Sequence, residues 1–335
     1  MRKEIRERSV FALRSLSVFY YGGKSTVADL VWRWLGSIDV YIEPFAGTSA
    51  VLLARQTDPR HPPSRPFGVE TINDAYGHIP NLYRSIKQAP DEVAKWADHI
   101  VSEADMLARQ KWLVQRTYET KLFEQLETDM DFCDPKAAGI WLWGMCSTVN
   151  LANWLRHGND RTIRLMANGH GHGIYRVGFD LIAELKLLQE RLKFVRVISG
   201  DWKRAVSFMA LHGDRNNPAL AGVFLDPPYS LGIRDRSIYA TDIADDKANR
   251  DVAAEAREWA IENGNDPDKR IALCGYEGEH TMPSDWHTVG WEAQGGFGNN
   301  HESRGKENKR IERIWFSPHC VDPDAAGAGI LSMFE

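Results

Sequence analysis

The 335-residue sequence predicts an α/β protein built on an open sheet of about seven strands. Three observations predict it. Short β-branched and aromatic runs recur along the chain, amphipathic helical stretches separate them, and several runs finish in turns carrying an acidic residue. Alternation of this kind spells a sheet with crossover helices. The strands are expected near 38–43, 66–72, 194–199, 221–226, 270–275, 286–292 and 311–316, and the helices near 25–35, 49–56, 180–193 and 246–262.

In chain order, the first informative segment is Phe19-Tyr20-Tyr21-Gly22-Gly23-Lys24-Ser25. A Gly-Gly turn leads into the amphipathic run Val27 to Leu35, with Ser25 or Thr26 available as a helix cap. The segment also reads as an aromatic platform, Tyr20, for an adenosyl group, with Lys24 reaching a carboxylate. The G-x-x-x-x-G-K spacing of a phosphate loop is missing. Next, Val40-Tyr41-Ile42-Glu43-Pro44-Phe45-Ala46-Gly47-Thr48-Ser49-Ala50 runs from a strand through a glycine turn into the helix former Val51-Leu52-Leu53-Ala54. A glycine in the first βα turn lets a ligand approach the backbone closely. Ser49 stands where a second glycine would be expected, so a paired-phosphate ligand is not required. A purely structural turn fits the segment equally. The strand ending Glu70-Thr71-Ile72-Asn73-Asp74 closes on acids, and an acid some 20 residues beyond a glycine turn accepts hydrogen bonds from ribose hydroxyls in nucleotide-binding folds of this type. Asp74 fits that role, Glu70 is the fallback, and an Asn-Asp turn is the other reading.

Alternation breaks over 75–180. That interval is helix-rich from Asp91 through Leu126 and from Pro135 to about Met145, with Trp141 and Trp143 expected in the core. It ends in a glycine-rich, basic stretch. Asn153, Arg156, Asn159, Arg161, Arg164 and Arg176 lie there, and arginine and asparagine are the residue types that read base edges bidentately. A solvated loop is the alternative. The expected division is 1–74 with 181–317 as one catalytic domain, 75–180 as an insertion, and 318–335 as a tail.

The segment richest in chemistry is Asp226-Pro227-Pro228-Tyr229, after the apolar run Ala221-Gly222-Val223-Phe224-Leu225. An exocyclic amine on adenine or cytosine is a poor nucleophile because its lone pair is delocalised into the ring. Asp226 can accept one amine hydrogen as a carboxylate. Pro227 fixes its own backbone and keeps the preceding residue extended, so its carbonyl can accept the other. Tyr229 can stack on the base. A strand ending in a tight Pro-Pro turn, with Tyr229 in the core, is the plainer reading.

Tyr20 to Lys24, Glu43 to Gly47, Asp74 and Asp226 to Tyr229 resemble, in type and order, the Dam-like family of S-adenosylmethionine-dependent DNA adenine methyltransferases. The resemblance covers most of residues 17–317. It implies a Rossmann-like methyltransferase sheet with a helical target-recognition insertion, S-adenosyl-L-methionine as methyl donor, and double-stranded DNA as partner. Tyr20, Gly22, Gly23 and Lys24 would then contact the donor. Glu43, Pro44, Phe45 and Gly47 would shape its pocket, Asp74 would hold its ribose, and Asp201 would lie near its adenine. Residues 226–229 would form the catalytic loop, the target adenine being flipped from the duplex, and Asn153 to Arg176 would read DNA. Two positions depart from the family pattern: Tyr20 replaces a tryptophan, and Thr48-Ser49 replaces a glycine-richer turn. Cytosine-N4 methylation, an RNA methyltransferase and a catalytically silent DNA-binding homologue are the alternatives, and a restriction-modification setting is one context for such an enzyme.

Composition bounds the rest. With 43% hydrophobic and 26% charged residues, the chain can bury a good-sized core. It has no run of 18 apolar residues and no apolar segment behind Met1-Arg2-Lys3, which predicts a cytoplasmic protein that does not enter membranes. Cys133, Cys146, Cys274 and Cys320 are widely spaced, so neither a disulfide framework nor a zinc knuckle is expected. His170 and His172 lack accompanying cysteines or acids, and no metal is expected. The net charge of −5 demands that any DNA contact be locally basic, which the 154–176 stretch is. A monomer or weak dimer is expected.

Overall fold

A computed structural model describes residues 24–62, 64, 66–147, 180–211, 219–228, 251–291 and 312–323. Seven strands form one sheet: β1 Val40–Glu43, β2 Val69–Asp74, β3 Val195–Ser199, β4 Ala221–Leu225, β5 Lys269–Tyr276, β6 His287–Gly290 and β7 Glu312–Phe316. Their order is β3-β2-β1-β4-β5-β7-β6. Pairing is parallel from β3 through β5, and β7 runs antiparallel to both β5 and β6. All seven expected strands are present. The one expected at 66–72 occupies 69–74 instead, because Gly68 is left-handed (φ 62°) and a Cβ there would meet the Asp39 carbonyl oxygen at 2.3 Å. The ladder can begin only beyond that close approach.

Among the described residues, the helices longer than four residues are α1 Ala28–Leu35, α2 Ala50–Ala54, α3 His78–Gln88, α4 Pro90–Ala97, α5 Glu103–Tyr118, α6 Leu122–Thr128, α7 Pro135–Ser147, α8 Leu181–Leu192 and α9 Val252–Asn263. Side-chain caps fix four starts: Ser102, Asp134, Asp180 and Asp251 accept from the backbone N–H of Asp105, Ala137, Ala183 and Ala254. Each satisfies a donor that the first helical turn leaves open.

Side chains alternate across a strand, and this period sorts the core into two layers. Tyr41, Ile72, Phe224, Ala272, Cys274, Ile314 and Phe316 face α1, α2, α3, α7 and α8. Val40, Ile42, Val223, Leu225, Ile271, Leu273 and Trp315 face α9 and Trp202. Helices α3 to α7 share the first layer's core with the sheet, Trp141 and Trp143 included. Residues 75–147 therefore continue the packing of the sheet. Helix α7 approaches α4 closely because Gly139 has no Cβ, which would otherwise lie 2.5 Å from the Val93 carbonyl oxygen.

Glu70 lies early in β2, away from the strand's carboxyl end, and is fully buried. Arg191 clamps it through two bonds of 2.6 and 2.8 Å, and Arg55 adds a third at 3.3 Å. That set of partners removes Glu70 as a ribose acceptor. Glu70→Ala would leave two buried guanidinium groups without their anion, and should cost about 3–5 kcal/mol in urea denaturation.

Candidate active site

The sheet order reverses between β1 and β4: from β1 the chain passes to β2 on one side and later to β4 on the other. In open α/β sheets a crevice forms outside the carboxyl ends of the strands at such a point. Gly47 follows β1 and Asp226 follows β4, so the two most informative sequence segments flank that crevice.

The β1 turn is held from beneath. Glu43 is buried, and its Oε2 accepts from the Tyr41 hydroxyl and from the Leu52 backbone N–H, both at 3.1 Å. It thereby caps the third residue of α2. Burial is the main reason that its carboxyl is pushed up to about 8, with the Asp226 charge adding to it. Gly47 is left-handed (φ 48°), and so is Ser49 (φ 54°). The second is costly for a residue with a Cβ, and the buried Tyr83 hydroxyl donates to Ser49 Oγ at 3.0 Å. The missing glycine of the sequence is thus replaced by a strained serine with a dedicated partner. Beneath the loop lies a cavity of about 30 Å³ bounded by Gly47, Thr48, Leu53, Tyr83, Trp141 and Leu188 among others. It has room for a water or two and not for a nucleoside.

Asp74 ends β2. Its two carboxylate oxygens accept from Gly47 N–H at 2.9 Å and Tyr76 N–H at 2.7 Å. Burial outweighs these bonds and raises its pKa to about 6. Next to it, Asn73 donates to the carbonyls of Pro44 (2.9 Å) and Gly200 (3.1 Å), joining the loops that follow β1 and β3. Phe45 packs on Trp202 with ring centroids 5.5 Å apart. Asp201 is exposed and caps the short turn Trp202–Arg204 through the Lys203 N–H.

On the far side of the crevice, Lys24 is buried with its Nζ 3.1 Å from Asp226 Oδ1 and 3.9 Å from Glu312 Oε2, and 5.6 Å from the Trp291 ring centre. Burial raises the pKa of Asp226; the Lys24 ammonium opposes that rise and Glu279 adds to it. Pro227 is buried and Pro228 partly so. Alternation explains the gathering. Glu43, Asp226, Cys274 and Glu312 each stand two residues from a first-layer residue of their strand, namely Tyr41, Phe224, Ala272 and Ile314, so all four belong to one face.

The structure therefore brings together Lys24, Glu43, Pro44, Phe45, Gly47, Asp74, Asp226, Pro227 and Pro228 around one crevice, with Asp201 at its rim. Tyr20, Gly22, Gly23, Tyr229, Asn153, Arg156, Asn159, Arg161, Arg164 and Arg176 lie outside the described residues. Three side chains with evident work here were not singled out from sequence: Asn73, Tyr83 and Glu312. Glu312 carried a usable signal, an acid two residues before a buried isoleucine at the start of the last strand. Among the described residues no group of three or more His, Cys, Asp or Glu is arranged to hold a metal ion, and no helix is long and apolar enough to cross a membrane.

A switch-point crevice with a glycine turn, an acid at the end of β2 and an Asp-Pro-Pro loop at the end of β4, on a sheet whose β7 is antiparallel, defines an S-adenosylmethionine-dependent methyltransferase directed at amines. The family model for D12 class N6 adenine-specific DNA methyltransferases matches residues 20–267, and the chain belongs to that family. It is a DNA methyltransferase acting on adenine N6; the cytosine-N4 and catalytically silent alternatives are not favoured. Comparison with curated proteins finds no match.

Two outcomes follow from this geometry. Tyr83→Phe should cost about 1 kcal/mol in thermal or urea unfolding, and much less when introduced beside Ser49→Gly, because glycine needs no support in the left-handed region; equal costs in both backgrounds would contradict the pairing. Glu43 keeps a proton in the folded chain that the unfolded chain releases above its ordinary value of 4.5. Stability should therefore fall as pH rises from about 4.5 to about 8, and Glu43→Gln should flatten that slope in melting curves recorded across the window.

Proposed function

We propose that this enzyme methylates adenine at a specific duplex DNA site by flipping the target base into the crevice, with Asp226 and the Pro227 carbonyl accepting the two hydrogens of its amine. The single observation that carries the reading is the placement of Asp226 at the end of β4, across the switch point from the Gly47 turn. Extruding the base costs a few kcal/mol, and Tyr229 is the proposed stacking partner that offsets part of it. With both hydrogens bonded, the nitrogen can become more tetrahedral and present its lone pair. Positive charge grows on that nitrogen as the new C–N bond forms, and a carboxylate already in place stabilises it without reorganisation. The neutral amine is far too weak an acid for Asp226 to deprotonate beforehand; the surplus proton leaves only after the methyl has moved. Lys24, beside Asp226, opposes the desolvation that raises the pKa of that carboxyl.

The residues present fit a nucleoside donor. Each oxygen of Asp74 takes one backbone N–H and retains a second lone pair, which suits the vicinal hydroxyls of a ribose. Gly47 lets the backbone approach without a Cβ, with Glu43 and Pro44 holding the turn, Phe45 walling it, and Asp201 at the rim. Tyr20, Gly22 and Gly23 complete the donor site in this reading, with Lys24 at its border. S-adenosyl-L-methionine supplies an electrophilic methyl group on a sulfonium sulfur.

Residues 75–180 are proposed as the target-recognition segment, with α3 to α7 as its foundation. Asn153, Arg156, Asn159, Arg161, Arg164 and Arg176 are its base and phosphate contacts. Four arginines against one acid within 154–176 give an acidic chain the local positive field that DNA requires. The enzyme is taken to act as a monomer or weak dimer in the cytoplasm of a bacterial or phage-infected cell.

Asp226→Ala should abolish transfer of a labelled methyl group to DNA while leaving donor affinity within about threefold. Full activity in that variant would sink the assignment. Sequencing that detects modified bases in DNA from expressing cells should find N6-methyladenine at one short sequence, and alanine at Arg161 and Arg164 should weaken DNA binding with a shallower salt dependence.

A further inference from the structure

We propose that Glu312 is a positioning residue for methyl transfer: it shares the buried Lys24 ammonium with Asp226 and so keeps a carboxylate oxygen of Asp226 open to the adenine amine. Glu312 lies outside residues 20–267, the segment that the family model matches. The proposal rests on the reading of Asp226 as the amine acceptor.

Geometry carries it. Lys24 is 5% exposed and stands between the two carboxylates, 3.1 Å from Asp226 Oδ1 and 3.9 Å from Glu312 Oε2. Glu312 is itself mostly covered, and its Oε2 has no hydrogen-bond partner among the described residues. A buried carboxylate oxygen without a hydrogen bond is costly, and among the described residues the ammonium near it is that of Lys24, which Asp226 also holds. With Asp226 as its only anion, a desolvated ammonium would bind that carboxylate more tightly and compete with the amine for it. A second anion on its other side, facing the same cation, divides that attraction. Antiparallel pairing sets Glu312 opposite Tyr276 of β5, and the alternation of β7 turns it to the face that carries Asp226.

Among the described residues, the other titratable groups around Asp226 are Glu43 on β1, Cys274 on β5 and Glu279 in the loop after β5. All are anionic or neutral, so Lys24 is the cation over which Asp226 and Glu312 compete. Burial raises the pKa of Glu312, the Lys24 ammonium opposes that rise, and the Asp226 charge adds to it. The two carboxylates should titrate as a pair, and the acid limb of the activity profile belongs to the pair.

The test is a pH profile from about pH 5 to about pH 9 of single-turnover methyl transfer into DNA from a methylation-deficient host, with Glu312→Gln and Glu312→Asp. Glu312→Gln should bind the donor within about twofold of the parent and transfer methyl about tenfold to a hundredfold more slowly. Its acid limb should move to lower pH, because Asp226 no longer shares the Lys24 ammonium with a second carboxylate. Glu312→Asp should recover part of the rate and part of the shift. A parental rate and limb in Glu312→Gln overturn the proposal, and so does a slower rate with an unmoved limb, which marks a structural role only. Should Glu312→Gln fail to fold, Glu312→Asp decides alone: a limb displaced toward lower pH supports the proposal and an unmoved one overturns it. Failure here with Asp226→Ala still inactive leaves the amine-acceptor reading intact; an active Asp226→Ala removes both.

Discussion

Parallel pairing of β1 with β4, in the register Val40↔Ala221 to Ile42↔Val223, is the constraint from which the site follows. It sets the carboxyl ends of two strands side by side that are some 180 residues apart in the chain, and it makes the loops beyond them face one crevice. Because side chains alternate, the same register puts Glu43 and Asp226 on one face, and the neighbouring strands add Cys274 and Glu312 to it. A gathering of carboxylates is unfavourable in a low dielectric unless a cation joins it. Lys24 is that cation, delivered by the turn before α1. Fold and electrostatics are thus one problem here: the sheet that creates the crevice also creates the repulsion that Lys24 relieves.

Much of this was legible in the amino-acid sequence. Strand and helix positions followed from periodicity, because the central strands β1, β4 and β5 are short apolar runs whose burial the sheet enforces. The Gly47 turn and the Asp-Pro-Pro loop were legible because glycine opens backbone conformations closed to other residues and proline fixes its own, effects that need no tertiary partner. Strand order was not predicted, since it depends on which edges meet. The role of Asn73 was equally hidden: its amide ties the Pro44 and Gly200 carbonyls, and those three positions are brought together only by the β1-β2-β3 pairing. Tyr83 escaped notice because its work depends on the left-handed backbone of Ser49, 34 residues earlier. The start of β2 was misjudged by three residues for a similar reason, a close backbone approach at Gly68 that has no local sequence mark beyond the glycine itself.

Glu70 shows how sequence proximity misleads. As the first acid of its strand it was a fallback for holding a sugar, yet burial early in the strand with two arginines makes it a structural anion. The acid four residues later, Asp74, is the one at the mouth. Both are carboxylates on β2; what separates them is distance along the strand, and hence whether the partners are guanidinium groups in the core or backbone N–H groups at the rim. The buried triad belongs to the foundation of the sheet, and the acid at the strand's end to the loops around the crevice.

The Asn73 clip makes the two walls of the crevice mechanically unlike. On the β1-β2-β3 side the Asn73 amide and the Asp74 carboxylate join the loops through hydrogen bonds to backbone groups, whose strength falls steeply with misalignment. On the β4-β5-β7 side the contacts are between Lys24 and carboxylates at 3.1 and 3.9 Å, and attraction between charges falls off gently with distance and answers to proton concentration. One jaw is a rigid template set by backbone geometry; the other is a compliant jaw whose set point is chemical.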